Sequence, residues 1–166
     1  MRILAIDPGS EKSAWVMFGC GKVVAHGLEL NEVIREKIYF RHNYVGHWHL
    51  AIEMVACYGM PVGAEVFDTC VWIGRFVEAW QPLAHSFVYR KDVKIHLCGS
   101  MLAKDSNIRQ ALIDRFGGKE KAIGKKATPG PLYGIKKDMW SALAVAVTFA
   151  DTHADPLPVQ QQETVT

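Results

Sequence analysis

Two apolar runs in this chain stop at a carboxylate. RILAID ends at Asp7, followed by Pro8 and Gly9, and LAIE ends at Glu53. A third acid, Asp138, opens the apolar segment DMWSALAVA. Proline biases the preceding residue toward extended geometry, so Asp7 is expected to project from a strand end in a fixed direction. Gly9 leaves space for a phosphate backbone to approach. Singly, each acid has an ordinary explanation: a strand-end turn for Asp7, a buried partner for a lysine at Glu53, and a helix cap at Asp138, where the dipole favours negative charge. Together they point further, because carboxylates that meet at the ends of core strands repel unless they share a proton or a cation. Hard oxygen donors around a partly hydrated site suit Mg²⁺. Two such ions roughly 4 Å apart can activate a water and stabilise the leaving oxygen of a phosphodiester.

Basic residues are concentrated in one place. The stretch KEKAIGKKATPGPLYGIKK, residues 119–137, carries six lysines against one glutamate, in a chain whose net charge is only +2. Lys125, Lys126, Lys136 and Lys137 are therefore candidates for gripping phosphates without reading bases, although the same pattern also describes a solvated loop. Other conspicuous residues carry less. His47 and His49 in HWH lack a third ligand and read as surface histidines. GCGK lacks the spacing and the following helix of a phosphate loop, so no nucleotide cofactor is expected. The four cysteines are scattered with no C-x-x-C pair and are expected to be reduced and mostly buried. No run reaches the roughly 18 apolar residues of a membrane span, and the N-terminus lacks the pattern of a secretory signal. A cytoplasmic protein without a membrane partner is the expectation.

These side chains need a frame to position them. The 166 residues suffice for one domain, expected over 1–152, with a polar tail, 153–166, expected to be disordered. Short strands are predicted at 2–7, 13–18 and 22–28 (less its last residue), close enough together for an antiparallel meander. Asn31 is expected to cap a helix with Val33, Ile34, Ile38 and Tyr39 on one side. HLAIEM is the next strand. A long helix follows over 63–80, with Val66, Cys70, Ile73 and Val77 as its central stripe and Trp72, Phe76 and Trp80 as a second ridge. So wide an apolar arc means that the helix lies deep in the core or that the ridge is a subunit contact. HSFVYR reads as a fifth strand and AKDSNIRQALIDRFGG as a helix. The final helix runs over 137–151, where Ala142, Ala146 and Ala150 allow close approach to a sheet. This order predicts an α/β fold with a mixed five-stranded sheet flanked by helices.

ILAIDPGS, AIE and KDMWSALAVA, taken in order, resemble the RuvC family of Holliday junction resolvases within the RNase H-like nuclease superfamily. The likeness extends from residue 2 to about residue 150 and implies an RNase H-like fold. It also implies a homodimeric, Mg²⁺-dependent endonuclease that cuts symmetric strands of a four-way DNA junction and leaves 5′-phosphates. Asp7, Glu53 and Asp138 match the family's catalytic metal ligands, for two Mg²⁺ ions with Mn²⁺ as a substitute. In DVKIHLCGSMLAK, Lys94 and Lys104 match lysines expected to contact or orient phosphates.

Two departures stand out. Where the family has a second aspartate on the last helix, this chain has Ser141. Positions three apart share a helix face, so Ser141 is expected to point at the site as a weak or water-mediated ligand. The family's junction-opening aromatic aligns with Ala56, which leaves Tyr58 as the nearest candidate wedge at the crossover. The compact chain and Ser141 resemble a phage-type member. A broader nuclease for forks and flaps remains an alternative, as does a junction-binding module with weak or no catalysis. A relative of the actin-like ATPases shares the first strand and turn but needs a second half-fold, for which there is no room.

Overall fold

The computed structural model describes residues 1–41, 48–57, 59, 61–81 and 83–153. Tyr58, His47 and the tail from residue 154 lie outside the described residues. The elements, in chain order, are strands β1 (Arg2–Asp7), β2 (Lys12–Gly19) and β3 (Lys22–Leu30), helix α1 (Asn31–Arg41), strand β4 (Trp48–Met54), helix α2 (Ala64–Trp80), strand β5 (His85–Tyr89), helices α3 (Arg90–Cys98), α4 (Asp105–Arg115) and α5 (Lys119–Ala122), strands β6 (Gly124–Lys125) and β7 (Thr128–Pro129), and helix α6 (Met139–Thr152). The main sheet is mixed, in the order β3-β2-β1-β4-β5. The meander β1–β2–β3 is antiparallel, whereas β4 and β5 run parallel to β1.

Alternation along the central strands separates two cores, because successive side chains leave a strand on opposite faces. Ile3, Ala5 and Ala51 belong to the core under α6, α3 and α4. Ile6, Leu50 and Ile52 belong to the core under α1 and α2. Helix α6 is buried from Ala142 through Phe149, and the small side chains Ala142, Ala144 and Ala146 let it lie close to the sheet. Its far end is fastened by Asp151, which accepts hydrogen bonds from both terminal nitrogens of Arg115, at 2.6 and 2.7 Å, and lies 2.7 Å from His96.

Several local expectations are corrected. The Trp72–Phe76–Trp80 ridge is interior rather than a subunit contact: Trp72 is 8% exposed, Phe76 0% and Trp80 1%. Helix α2 buries this ridge with Ile73 against β4 and α1, which rotates Cys70 out to solvent beside exposed Phe67 and Val71. In α1 only Ile34 and Ile38 turn inward, a stripe one residue wide, while Val33 and Tyr39 are exposed. The cysteines are free, but Cys20, Cys57 and Cys70 are exposed and Cys98 is half-buried, so the thiols are not core residues. His49 is half-buried, 3.0 Å from Ser86 Oγ and stacked on Phe149, rather than a surface histidine. The lysine-rich stretch, read above as a loop, contains the short helix α5 and the β6–β7 hairpin. Helix α3, which follows β5 without a break, was not anticipated from the sequence.

Candidate active site

Asp7 is the last residue of β1, and Glu53 lies near the end of β4. The two strands are parallel neighbours with Ile6 paired to Ile52, so Asp7 and Glu53 stand side by side at the carboxyl ends of the sheet. Asp7 is two residues on from Ala5, and Glu53 two on from Ala51, so both carboxylates leave on the α6 face. The same parity holds on β5, where Val88 faces the α6 core and Arg90 follows it by two. An open α/β sheet places ligands at such carboxyl ends.

The turn after Asp7 is locked. Gly9 N donates to Ser13 Oγ at 3.2 Å, Ser13 Oγ donates to Asn31 Oδ1 at 2.6 Å, and Asn31 Nδ2 donates back to Gly9 O at 2.9 Å. Asn31 is fully buried, and its side chain ties the turn to α1 instead of capping the helix. The need for glycine at position 9 is internal, since a Cβ there would stand 2.4 Å from the Lys12 carbonyl oxygen. The turn itself therefore requires this glycine, independently of any phosphate backbone that approaches.

Helix α6 supplies the remaining oxygens. Asp138 sits at its N-cap position but makes no side-chain cap hydrogen bond, and it is exposed. The Ser141 hydroxyl donates to the Asp7 carboxylate and accepts from Arg90 Nη1 at 3.2 Å. Arg90 Nη1 also lies 3.5 Å from Glu53, and Nη2 donates to Asp105 Oδ1 at 2.5 Å. Burial, then Glu53 and then Asp138 push the Asp7 carboxyl from 3.8 up to about 8, against the opposing pull of Arg90 and Ser141. Burial also raises Glu53, which Arg90 partly offsets. Burial disfavours the charge on Arg90, yet Glu53, Asp105 and Asp7 more than compensate and raise its pKa.

Most of the chain has counterparts among solved structures. The structure of Thermus thermophilus RuvC matches with a TM-score of 0.61 at 20% identity, covering 92% of this chain and 96% of that one. T. thermophilus RuvC in complex with a Holliday junction substrate matches with a TM-score of 0.56 at 16% identity and the same coverages. No family model matches the sequence, and no curated protein does. The fold is that of RuvC.

On this RuvC fold a cleft of about 700 Å³ opens beside the carboxylates, lined by Arg90, Asp105, Arg109, Lys119, Lys137, Asp138 and Ser141 among others. Of the lysines singled out from the sequence, only Lys137 lines it. Lys94 is half-buried on α3, one turn beyond Arg90, and Lys104 is the exposed residue before α4. Lys125, Lys126 and Lys136 are exposed on and after the hairpin. Arg90, Asp105, Arg109 and Lys119 were not singled out. For Arg90 a signal existed, since HSFVYR ends in a charged residue just as RILAID does.

Among the described residues, no three His, Cys, Asp or Glu side chains are placed closely enough to share one metal ion. Arg90 draws Glu53 toward itself, and Asp138 stands out at the helix start. The donor chemistry nevertheless fits a hard divalent cation: the acids are oxygen donors, and beyond the burial that chiefly raises Asp7, Glu53 and Asp138 each push its carboxyl up more than Arg90 pulls it down.

Proposed function

We propose that this protein is a metal-dependent endonuclease that resolves four-way DNA junctions. The observation that carries the proposal is that Asp7 and Glu53 stand side by side at the carboxyl end of a RuvC-fold sheet, with Asp138 of the last helix near enough to raise the Asp7 carboxyl. The solved RuvC complex with a Holliday junction supports the choice of substrate. Asp7, Glu53 and Asp138 would hold Mg²⁺, or Mn²⁺ in its place. The bound cation supplies positive charge that polarises water and the scissile phosphate.

The chain's own groups do the rest. Asp7 must be ionised to act as a ligand, and Ser141 holds its carboxylate in one orientation by donating to it. Water attacks phosphorus in line, the bond to the 3′-oxygen breaks, and the phosphate stays on the 5′ end. Lys137, Lys119 and Arg109 line the cleft and offset backbone charge, with Lys94, Lys104, Lys125, Lys126 and Lys136 on the flanking elements. Paired cuts on opposite strands call for two copies of the chain, so a homodimer belongs to this proposal. The free thiols accord with work in the cytoplasm.

Labelled four-way, three-way and linear duplex DNA, incubated with Mg²⁺, tests the reading. Wild type is expected to cut the four-way junction preferentially, and Asp7→Asn to bind it undiminished without cutting. Equal cutting of all three substrates would replace the resolvase with a broader branched-DNA nuclease. Junction binding with no cutting in Mg²⁺ or Mn²⁺ would favour the binding module, a reading that the engagement of Ser141 by Arg90 gives some weight.

A further inference from the structure

The guanidinium of Arg90 lies inside the acidic cluster rather than at its rim. It extends from the start of α3 and is held by three partners: Glu53 at 3.5 Å, Ser141 Oγ at 3.2 Å and Asp105 at 2.5 Å. Its side chain is only 25% exposed. Ser141 is committed in both directions, donating to Asp7 and accepting from Arg90. A divalent ion bridging Asp7 to the Ser141 oxygen would therefore stand within a few ångströms of a fixed positive charge on the same oxygen. Like charges that close in a partly buried site repel strongly, and a dication feels twice the repulsion of a single charge.

Asp105 anchors the guanidinium from its open side, with 82% of its own side chain exposed to water.

We propose that Arg90 is a built-in cation of this site, standing where a second divalent ion would bind, so that each chain takes one divalent cation between Asp7 and Asp138. This rests on the metal-dependent reading above and specifies its stoichiometry. Arg90 is thus a positioning residue, which sets the orientation of Glu53 and Ser141 and the number of ions admitted.

The test counts Mn²⁺ bound by the full-length, metal-free protein, from the loss of the free-ion electron paramagnetic resonance signal, with Asp7→Asn as the background for surface binding. Wild type is expected to bind one ion above that background. The double variant Arg90→Gln/Ser141→Asp, its fold checked by circular dichroism, is expected to bind two. Arg90→Lys, which keeps the charge, is expected to stay at one. Two ions in wild type would overturn this inference and leave the nuclease reading standing. A double variant that stays at one would also overturn it, since Arg90 would not be what excludes the second ion. No ion above background in wild type would overturn both.

Discussion

At the scale of single residues, Asp7 concentrates the cost of the site. A carboxyl whose pKa is raised by folding binds its proton more tightly in the folded state than in the unfolded one. The stability linked to that proton is fully present below 3.8 and is lost as pH climbs to about 8. Glu53 is displaced in the same direction, by burial first, and adds to the loss. Metal-free wild type is therefore expected to melt at a lower temperature near pH 8 than near pH 5, and Asp7→Asn to lose less over that interval. Mg²⁺ should restore the wild type at the higher pH and leave the variant unchanged. Thermal melts at the two pH values, with and without Mg²⁺, check this; equal losses in both proteins would count against it. The positions of Asp7 and Glu53 were legible because each ends an apolar run, so alternation on neighbouring strands fixes both place and face. Arg90 and Asp105 escaped notice because their partnership depends on how β5 turns into α3 and on where α4 begins, which no local pattern encodes.

At the scale of elements, the Gly9–Ser13–Asn31 network shows how the site is held. Two hydrogen bonds tie the β1–β2 turn to Asn31 at the start of α1, a third braces the turn itself, and Asn31 is fully buried. Asn31→Ala leaves the Ser13 hydroxyl and the Gly9 carbonyl without this partner. A loss of about 1–3 kcal/mol in denaturant unfolding is expected, together with weaker metal binding as the turn behind Asp7 loosens. Unchanged stability would show that other groups satisfy the turn. The same residue illustrates the limit of local reading. An asparagine at a helix start suggests a cap, and only the tertiary fold reveals that its side chain reaches the β1–β2 turn instead. Helix α2 taught a related lesson, since its apolar arc was wide enough to offer two stripes and the packing partners, not the periodicity, decided which was buried. The two-residue strands β6 and β7 are too short to leave a pattern at all.

At the scale of the molecule, the order of elements was the most legible feature. Three closely spaced strands, then alternating helices and strands, admit few topologies, and the mixed five-stranded sheet followed from that order. The charge distribution also operates at this scale. A net charge of +2 is small, but six lysines between residues 119 and 137 stand on the elements that border the cleft. Binding of a four-way junction by the Asp7→Asn variant is expected to weaken linearly in log affinity against log salt, because each phosphate contact releases a counterion. Replacing Lys125, Lys126 and Lys136 together by Gln should flatten that slope by roughly 2 to 3 units if each contacts a phosphate. A slope equal to that of the unsubstituted protein would remove the hairpin from the binding surface.

The site is split between the sheet and the last helix, and this has a consequence during synthesis. A ribosome that has delivered the chain only as far as Lys137 has made Asp7, Glu53 and Arg90, but neither Asp138 nor Ser141. Such a nascent chain carries two of the three clustered acids, so on the proposed reading it has no complete metal site. The full set of acids is assembled only when α6 docks beneath β1, so the proposed activity would belong to finished, folded molecules.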